Sequence, residues 1–476
     1  MKTYQDLIRV GQSDEAKGNF CRTAVNVFMG TTDYKNAKDG EAYYNKHNLT
    51  IETFQKFLYT LSGRKIEDNF SVNYKLKTLF FRRLIIQQVQ YVLGNGVTLQ
   101  KNGNKEKLGK DFDFQIQTAA KRALASGKAF GFWNMDHLEV FGYADTPAQP
   151  GFCPLYDEYT GELKAGVRYW FRRVDNDMIF RATLYEEDGY TEYTERNEDE
   201  VQLLAPKRAY KVKVATTKAD GSINIGDENY TRLPIVPLYS NDSHESELVG
   251  IRECIDCYDY IKSGLANDID EATGFYWVLQ NTAGMDDSDL ARFVQRMKTV
   301  KAAVVDTDSG SSVEAHTIDV PVDARRTMLE LLRKDIYEDF QALDINTLSA
   351  AAKTTQEIQA AYQAQDNKCA DFEYYILDFI GKILNLAEIN DTPTLNWNRV
   401  INQQEQTQTV LMAANYLPED IIIKHLPFLT PEEAEIAIKE KSKAEMNRFG
   451  ADDEEENEEE SEEESEEETK EKQKTE

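Results

Sequence analysis

The chain has 476 residues, of which 41% are hydrophobic and 11% aromatic, so it can bury a large core and is expected to hold about two to four structural units. Its formal net charge is −29. It lacks the basic stripe that is typical of proteins that bind nucleic acid tightly. No stretch approaches the roughly 20 apolar residues of a membrane helix, and the first residues lack an apolar signal segment. We expect a soluble protein that stays in a cytoplasm.

Much of the negative charge lies at the carboxyl end. Residues 452–476 contain 16 acidic residues against three lysines and no aromatic residue. Such a segment cannot bury enough apolar surface to offset the entropy lost on ordering. We therefore predict a disordered acidic tail over residues 448–476, and favour a solubilising role over a docking role.

Helical patterns dominate the start of the chain, and a pattern of period two follows them. The segment 51–61 is one of several short helical patterns, and apolar spacing predicts helices over 72–93 and 112–125. From Ala129 to Tyr239 apolar residues alternate with polar ones between turn signals such as Asn176-Asp177 and Asp188-Gly189, which is typical of antiparallel hairpins. The last strand of this region is predicted over 233–239.

Two charged helices then flank a small insert. Residues 246–272 carry apolar side chains at steps of three and four, with mostly acidic side chains on the other faces. The predicted packed stripe is Leu248, Ile251, Ile255, Tyr258, Ile261, Leu265, Ile269 and Ala272. A second charged helix is predicted after Pro321. The insert is predicted to contain a strand over 276–279, a helix over 289–299 and strands over 302–305 and 315–320.

The rest of the chain is predicted to be helical. Small and polar residues at 346–353 precede a capping box, Thr354-x-x-Glu357, which opens a long helix ending near Glu388. Short helices are predicted over 404–415, 419–425 and 431–448. The succession of helices and hairpins predicts an α+β fold.

The sequence lacks the common catalytic motifs. It has no phosphate-binding loop, nucleophile elbow or H-E-x-x-H motif, and its five histidines are scattered. Cys254 and Cys257 form a C-x-x-C pair in the middle of a predicted helix without further ligands, which favours packing over a metal or redox site. We expect no catalytic, metal-binding or cofactor-binding residues and no enzyme; a catalytic triad assembled only in space is the alternative.

Several segments closely resemble the portal proteins of tailed bacteriophages, of the SPP1-like type. The resemblance is carried in the right order from about Val72 to Lys441. The segments that carry it are Leu233–Asp242 (LPIVPLYSND), Ser246-Glu-Leu248, Ile255–Asp259 (IDCYD), Ala266–Asp270 (ANDID), Tyr276–Leu279 (YWVL), Thr317–Val322 (TIDVPV), Leu332–Ile336 (LRKDI) and Leu395–Arg399 (LNWNR).

This resemblance implies a portal fold, with a mixed α/β wing, a two-helix stem, a small α/β clip, a long wing helix and a helical crown, assembled as a dodecameric ring at one capsid vertex. DNA would pass through the ring during packaging and ejection. The implied divisions are a wing at 1–245, stem helices at 246–274 and 321–343, a clip at 275–320, a tunnel loop at 344–353, a wing helix at 354–389 and a crown at 390–447. The tail at 448–476 is predicted from its composition and is not implied by the resemblance.

The resemblance also implies partners. They are other copies of the chain, double-stranded DNA bound weakly and without sequence preference, the terminase large subunit, head-completion or adaptor proteins, and the major capsid and scaffolding proteins. It implies no cofactor and no membrane. The expected location is the portal vertex of the virion, after assembly in the host cytoplasm.

Acidic side chains of the first stem helix are candidates for the channel wall. An acidic wall would repel the duplex and let it slide, whereas a repeated basic contact would hold it fast. The alternative is that these side chains pair with basic residues of the neighbouring subunit. The candidates are Glu253, Asp256, Asp259, Asp268 and Glu271.

The predicted tunnel loop supplies the other channel candidates. They are Asn346, Thr347, Leu348, Ser349 and Lys353. Lys353, together with Arg333 and Lys334 of the second stem helix, is a candidate for light phosphate contact, and surface or intersubunit ion pairs are the alternative. Two competing functions are an oligomeric head or connector protein without a DNA channel, and a nucleic-acid-processing enzyme.

Overall fold

The structure is a computed structural model of the whole chain. The residues it describes are 1–11, 13–59, 63–68, 71–101, 103–174, 177–197, 200–212, 216–217, 223–224, 227–272, 276–280, 292, 312–316, 321–344, 355–398, 410–426, 429 and 433–443. They fall into two compact units, Met1–Asn398 and Arg399–Glu476. The predicted acidic tail lies outside the described residues.

The first unit contains helices of very different lengths. Together with a largely antiparallel sheet, they confirm the predicted α+β class. The helices are α1 Tyr4–Val10, α2 Asp14–Met29, α3 Thr32–Tyr44, α4 Leu49–Thr53, α5 Phe80–Leu93, α6 Phe112–Ser126, α7 Arg252–Ala272, α8 Val322–Asp339 and α9 Thr355–Leu386.

The strands of this unit form one large sheet and several two-stranded ribbons. The strands are β1 Phe57–Tyr59, β2 Lys65–Glu67, β3 Val97–Leu99, β4 Lys128–Asn134, β5 His137–Gly142, β6 Gly151–Tyr156, β7 Leu163–Val174, β8 Asp177–Glu186, β9 Gly189–Asn197, β10 Glu200–Arg208, β11 Lys211–Val212, β12 Thr216–Thr217, β13 Ile223–Asn224, β14 Asp227–Glu228, β15 Ile235–Tyr239, β16 Tyr276–Gln280, β17 Ser312–His316 and β18 Pro393–Leu395.

The large sheet has eight strands in the order β10-β9-β8-β7-β6-β5-β4-β15. The predicted hairpin at Asp188-Gly189 is confirmed, since Glu186 of β8 pairs with Gly189 of β9. The predicted strand at 233–239 is confirmed as β15, which pairs antiparallel with β4 at the edge of the sheet. Alternating side chains of β7, including Val167 and Tyr169, are fully buried, as the period of two requires.

Helices pack on the sheet and close the core. On α2, Lys17 makes a buried ion pair with Glu186 of β8, with Nζ and Oε1 2.8 Å apart. Close packing of α9 on β4 depends on Gly131, because a Cβ added there would lie 2.5 Å from the ring of Phe379. The core is therefore continuous from the amino-terminal helices to the long helix α9.

Residues 72–79, between the hairpin β1–β2 and α5, form an extended strap that lies on α7. The backbone N–H of Tyr74 donates to Asn267 Oδ1 at 2.7 Å, and that of Leu76 donates to Ser263 Oγ at 3.0 Å. Asp259 accepts from the Thr78 N–H with both carboxylate oxygens, at 3.0 and 3.2 Å. The strap thus finds its backbone partners among the side chains of a helix.

The match between strap and helix is geometric. Asp259, Ser263 and Asn267 are four residues apart, so they stand about 6 Å apart along one stripe of α7. Alternate residues of an extended chain repeat at about 6.6 Å, and successive donors of the strap therefore meet successive acceptors. All three side chains are buried, so this polar stripe faces the protein interior.

The strap corrects the predicted helix over 72–93. Only Phe80–Leu93 is helical, because the amide groups of residues 74, 76 and 78 are bound to α7 and are not available for helical bonds. Similarly, the helical pattern at 51–61 gives only the end of α4, and residues 57–59 form strand β1.

Three longer helices follow the predictions with shifted ends. The helix predicted over 246–272 begins at Arg252, because residues 247–251 are turns and Ser246 Oγ bonds to the Ala125 carbonyl and accepts from the Leu248 N–H. The second charged helix begins just after Pro321, and the long helix ends at Leu386, as predicted. The capping residue Thr354 lies outside the described residues.

The structure describes two short strands of the insert between α7 and α8. Tyr276 of β16 pairs with His316 of β17, and the two strands run antiparallel. Strand β17 begins three residues earlier than the predicted strand at 315–320. The helix predicted over 289–299, apart from the helical residue Arg292, and the strand predicted over 302–305 lie outside the described residues.

Residues 390–398, which the resemblance assigns to a crown, belong to the first unit. There β18 pairs with β3, with Leu395 opposite Val97. In the second unit the described helical segments are residues 410–412 with the 3-10 turn Ala413–Asn415, α10 Glu419–Lys424 and residues 433–443. They overlap the helices predicted over 404–415, 419–425 and 431–448.

Replacing Asp259 with Ala should weaken the strap. The Thr78 N–H and the buried Asn48 amide, which donates to Asp259 Oδ2 at 3.0 Å, would both lose their acceptor, at a cost of about 1–3 kcal/mol. We expect amide hydrogen exchange in residues 72–79 to speed up at least about tenfold. Glu253→Ala, at an exposed acid of the same helix, is the matched control, and equal protection in the two variants would contradict this role of Asp259.

Candidate functional site

The two charged helices α7 and α8 pack against each other and against the start of α5. Tyr258 of α7 meets the Phe80 ring edge-on at a centroid distance of 4.9 Å, and Tyr337 of α8 meets it at 6.3 Å. Ile255, Leu332 and Ile336 are buried nearby. The pair is thus fixed at its end next to the sheet, where the predicted channel residues can be located.

Asp256 is bound by the amino-terminal helices of its own subunit. Its carboxylate accepts from Tyr43 Oη at 2.5 Å and from Thr50 Oγ1 at 2.7 Å. Arg252 Nε lies 3.9 Å from it, one turn away on α7. Asp256 therefore joins α7 to α3 and α4.

Asp259 is completely buried in the strap contact. Burial raises the pKa of its carboxyl, and the hydrogen bonds from Thr78 and Asn48 oppose that shift. Its carboxylate is therefore used inside its own subunit, which argues against the channel role suggested for Asp259 from sequence.

Asp268 forms an ion pair with Arg325 at the start of α8. The pair connects the two charged helices within one subunit, where the sequence suggested either the lumen or a neighbouring subunit. Glu253 is exposed on α7. Glu271 belongs to α7, but its side chain lies outside what the structure describes.

The two basic candidates of α8 also have partners in their own subunit. Arg333 Nη2 lies 2.8 Å from Asp344 Oδ1, just beyond the end of α8. Lys334 Nζ lies 3.4 Å from Glu338 Oε1 on the exposed face of the helix. Arg333 therefore holds the chain where it leaves α8.

The chain just before the predicted tunnel loop is held by further contacts that the sequence did not reveal. The Leu343 carbonyl accepts from Gln87 Nε2 of α5 at 2.9 Å, and the Leu343 N–H donates to Gln365 Oε1 of α9 at 3.2 Å. Lys368 Nζ donates to the Phe340 carbonyl at 2.9 Å and to Glu247 Oε2 at 2.5 Å. We call these contacts the loop clamp.

One signal for the loop clamp was present in the sequence. Gln365 is buried and interrupts the apolar stripe of α9 between Tyr362 and Cys369. A polar side chain on a buried stripe needs a partner. The predicted loop residues themselves, Asn346, Thr347, Leu348, Ser349 and Lys353, lie outside the described residues.

The described residues hold neither a metal-binding cluster nor a membrane-spanning helix. They contain no cluster of three or more side chains that could hold a metal ion, and no described helix has the length and apolarity of a membrane span. Cys254 Sγ lies 3.9 Å from Asp339 Oδ2 of α8. Burial, followed by the nearby Asp339 and Asp335 carboxylates, raises the pKa of the Cys254 thiol, which is the reverse of what a reactive thiolate needs.

Comparison with known proteins gives the family. The chain is 22% identical over 436 residues to the portal protein of Clostridium phage phiCD119, covering 86% of this chain and 93% of that protein. It is 22% identical over 437 residues to the portal protein of Bacillus phage SPP1, covering 86% of this chain and 83% of the relative. The sequence model described as "Phage portal protein, SPP1 Gp6-like" matches residues 30–470. The chain therefore belongs to the SPP1 Gp6-like family of phage portal proteins.

Proposed function

We propose that the chain forms a dodecameric ring at one vertex of a phage capsid, and that this ring is the passage for double-stranded DNA during packaging and ejection. The observation that carries the proposal is the family match over residues 30–470, which covers both charged helices and the hairpin between them. The α7–hairpin–α8 succession supports a stem with a clip at its end. The ring acts as a structural component of the virion, with no turnover of its own.

The hairpin β16–β17 belongs to the clip in this proposal. The clip binds the terminase large subunit during packaging and a head-completion or adaptor protein afterwards, while the wing contacts the major capsid and scaffolding proteins. An antiparallel hairpin carried between two helices supports such docking, because a short two-stranded ribbon presents strand edges to a partner.

The contacts within the subunit reduce the number of candidate residues for the proposed channel wall. Since Asp256 and Asp268 have partners in their own subunit and Asp259 is buried, the acids that remain as candidates for the lumen are Glu253 and Glu271. Lys353 remains the candidate for phosphate contact from the tunnel loop. Arg333 and Lys334 instead stabilise the end and the surface of α8.

The ring itself can be tested directly. We expect negative-stain images of the purified chain to show rings with a central hole, and native mass measurement to give a dodecamer. Closed assemblies without a hole would favour the alternative of a head or connector protein without a channel. Monomers or open filaments would contradict the proposal.

Lys353→Ala should leave ring assembly intact and lower the amount of DNA packaged in a terminase-driven assay, because a light phosphate contact would be lost at every subunit. Lys382→Ala is the matched control, since Lys382 makes an exposed ion pair with Asp378 on α9. Packaging equal to that of the control would remove Lys353 from the channel.

Glu253→Lys should make the ring retain DNA. If Glu253 faces the lumen, its reversal puts a ring of cations around the duplex, and we expect DNA binding at low salt to tighten at least about tenfold and to fall steeply with added salt. Glu162→Lys, at an exposed acid just before β7, is the control for the same charge change. Equal DNA binding by the two variants would show that Glu253 lies away from the duplex.

A further inference from the structure

A large cleft lies beside the strap, between the amino-terminal segments and α7. Its volume is about 1200 Å³. Residues 50–57 and 71–75 form one wall, and α7 with the start of α8 forms the other. The hydrogen bonds of the strap to α7 fix these walls against each other, so the cleft is a built part of the first unit.

The cleft presents large apolar side chains to solvent. Phe54 and Tyr260 meet edge to face across it, with ring centroids 5.3 Å apart, and they remain 38% and 53% exposed. Phe57, Tyr74 and Met328 line the same cleft and are each more than 40% exposed. Aromatic residues and methionine are enriched in the buried centres of protein interfaces, and a contiguous exposed patch of this kind marks a contact surface.

Several polar groups of the cleft are engaged inside the subunit. Ser263 and Asn267 accept from the strap, and Asp268 pairs with Arg325. Lys75 Nζ donates to the Glu52 carbonyl at 2.6 Å, and Lys56 Nζ donates to the Val72 carbonyl at 2.7 Å. The cleft therefore offers an apolar floor, and its amino-terminal wall bears Lys56 and Lys75 against the single carboxylate of Asp68. This net positive wall suits an apolar protein surface flanked by acids.

We propose that a neighbouring copy of this chain fills the cleft, which makes it one half of the subunit interface. The proposal rests on the ring put forward above. A closed ring of identical subunits requires a head-to-tail contact, in which a surface of one subunit receives a different surface of the next. The chain carries a net charge of −29, so the wall that bears Lys56 and Lys75 is complementary in sign to a second copy.

The test places a charge on the apolar floor without disturbing the core. Tyr260→Glu and Met328→Glu change exposed side chains of α7 and α8, and we expect both variants to keep the wild-type circular dichroism. The subunit concentration at half assembly, measured by mass photometry, should rise at least about tenfold for each, as expected for a residue in the centre of an interface. Met178→Glu is the matched control, because Met178 on β8 is 57% exposed and does not line the cleft.

Hydrogen exchange of the wild-type chain provides the second measurement. In assembled rings compared with dissociated subunits, we expect amide protection in residues 50–57 and 71–75. This comparison needs no variant, so it decides the proposal even if Tyr260→Glu or Met328→Glu fails to fold.

The outcomes separate this inference from the proposed function. Wild-type rings with no added protection at the cleft, or folded cleft variants that assemble at wild-type concentrations, would overturn the inference and leave the ring intact. A wild-type chain that stays monomeric at every concentration would overturn both.

Discussion

The structure depends on the contact between an extended chain and a polar stripe on a helix. Asp259, Ser263 and Asn267 supply acceptors at the spacing that alternate residues of the strap require. This contact sets the first residue of α5, because the strap cannot continue as helix while its amides are bound elsewhere. It also decides which side of α7 is buried, and so where Glu253 and the cleft residues meet solvent.

The sequence predicted well those elements whose signal is local. Alternation and turn residues predicted the hairpin of β8 and β9, and Pro321 marked the start of α8. The packed face of α7 was predicted only in part: Ile255 is buried as predicted, but Ile269, placed on the same stripe, is 51% exposed, while Asp259 is fully buried. Acidic and small polar residues at helical spacing are typical of a solvated face, and their partner lies about 180 residues earlier in the chain. Periodicity carries no information about so distant a partner.

The candidate site was less predictable than the fold, for a related reason. An acidic side chain on a helix is available to a channel only if no side chain of its own subunit binds it, and this depends on the tertiary structure. Asp256 is bound by Tyr43 and Thr50, and neither residue carries a motif that would suggest it. Several charged side chains of the two charged helices, α7 and α8, thus join helices within a subunit. A channel wall built from such helices would present fewer unpaired charges to DNA than their composition suggests.

The loop clamp has a mechanical consequence. Any force applied to the chain beyond Asp344 is carried first by the Leu343 hydrogen bonds and the Arg333–Asp344 ion pair. Gln87 lies on α5 and Gln365 lies on α9, and both helices contribute side chains to the core. The load is therefore divided between these two helices before it reaches the end of α8. The segment that follows α8 is therefore anchored to α5 and α9 as well as to α8 itself.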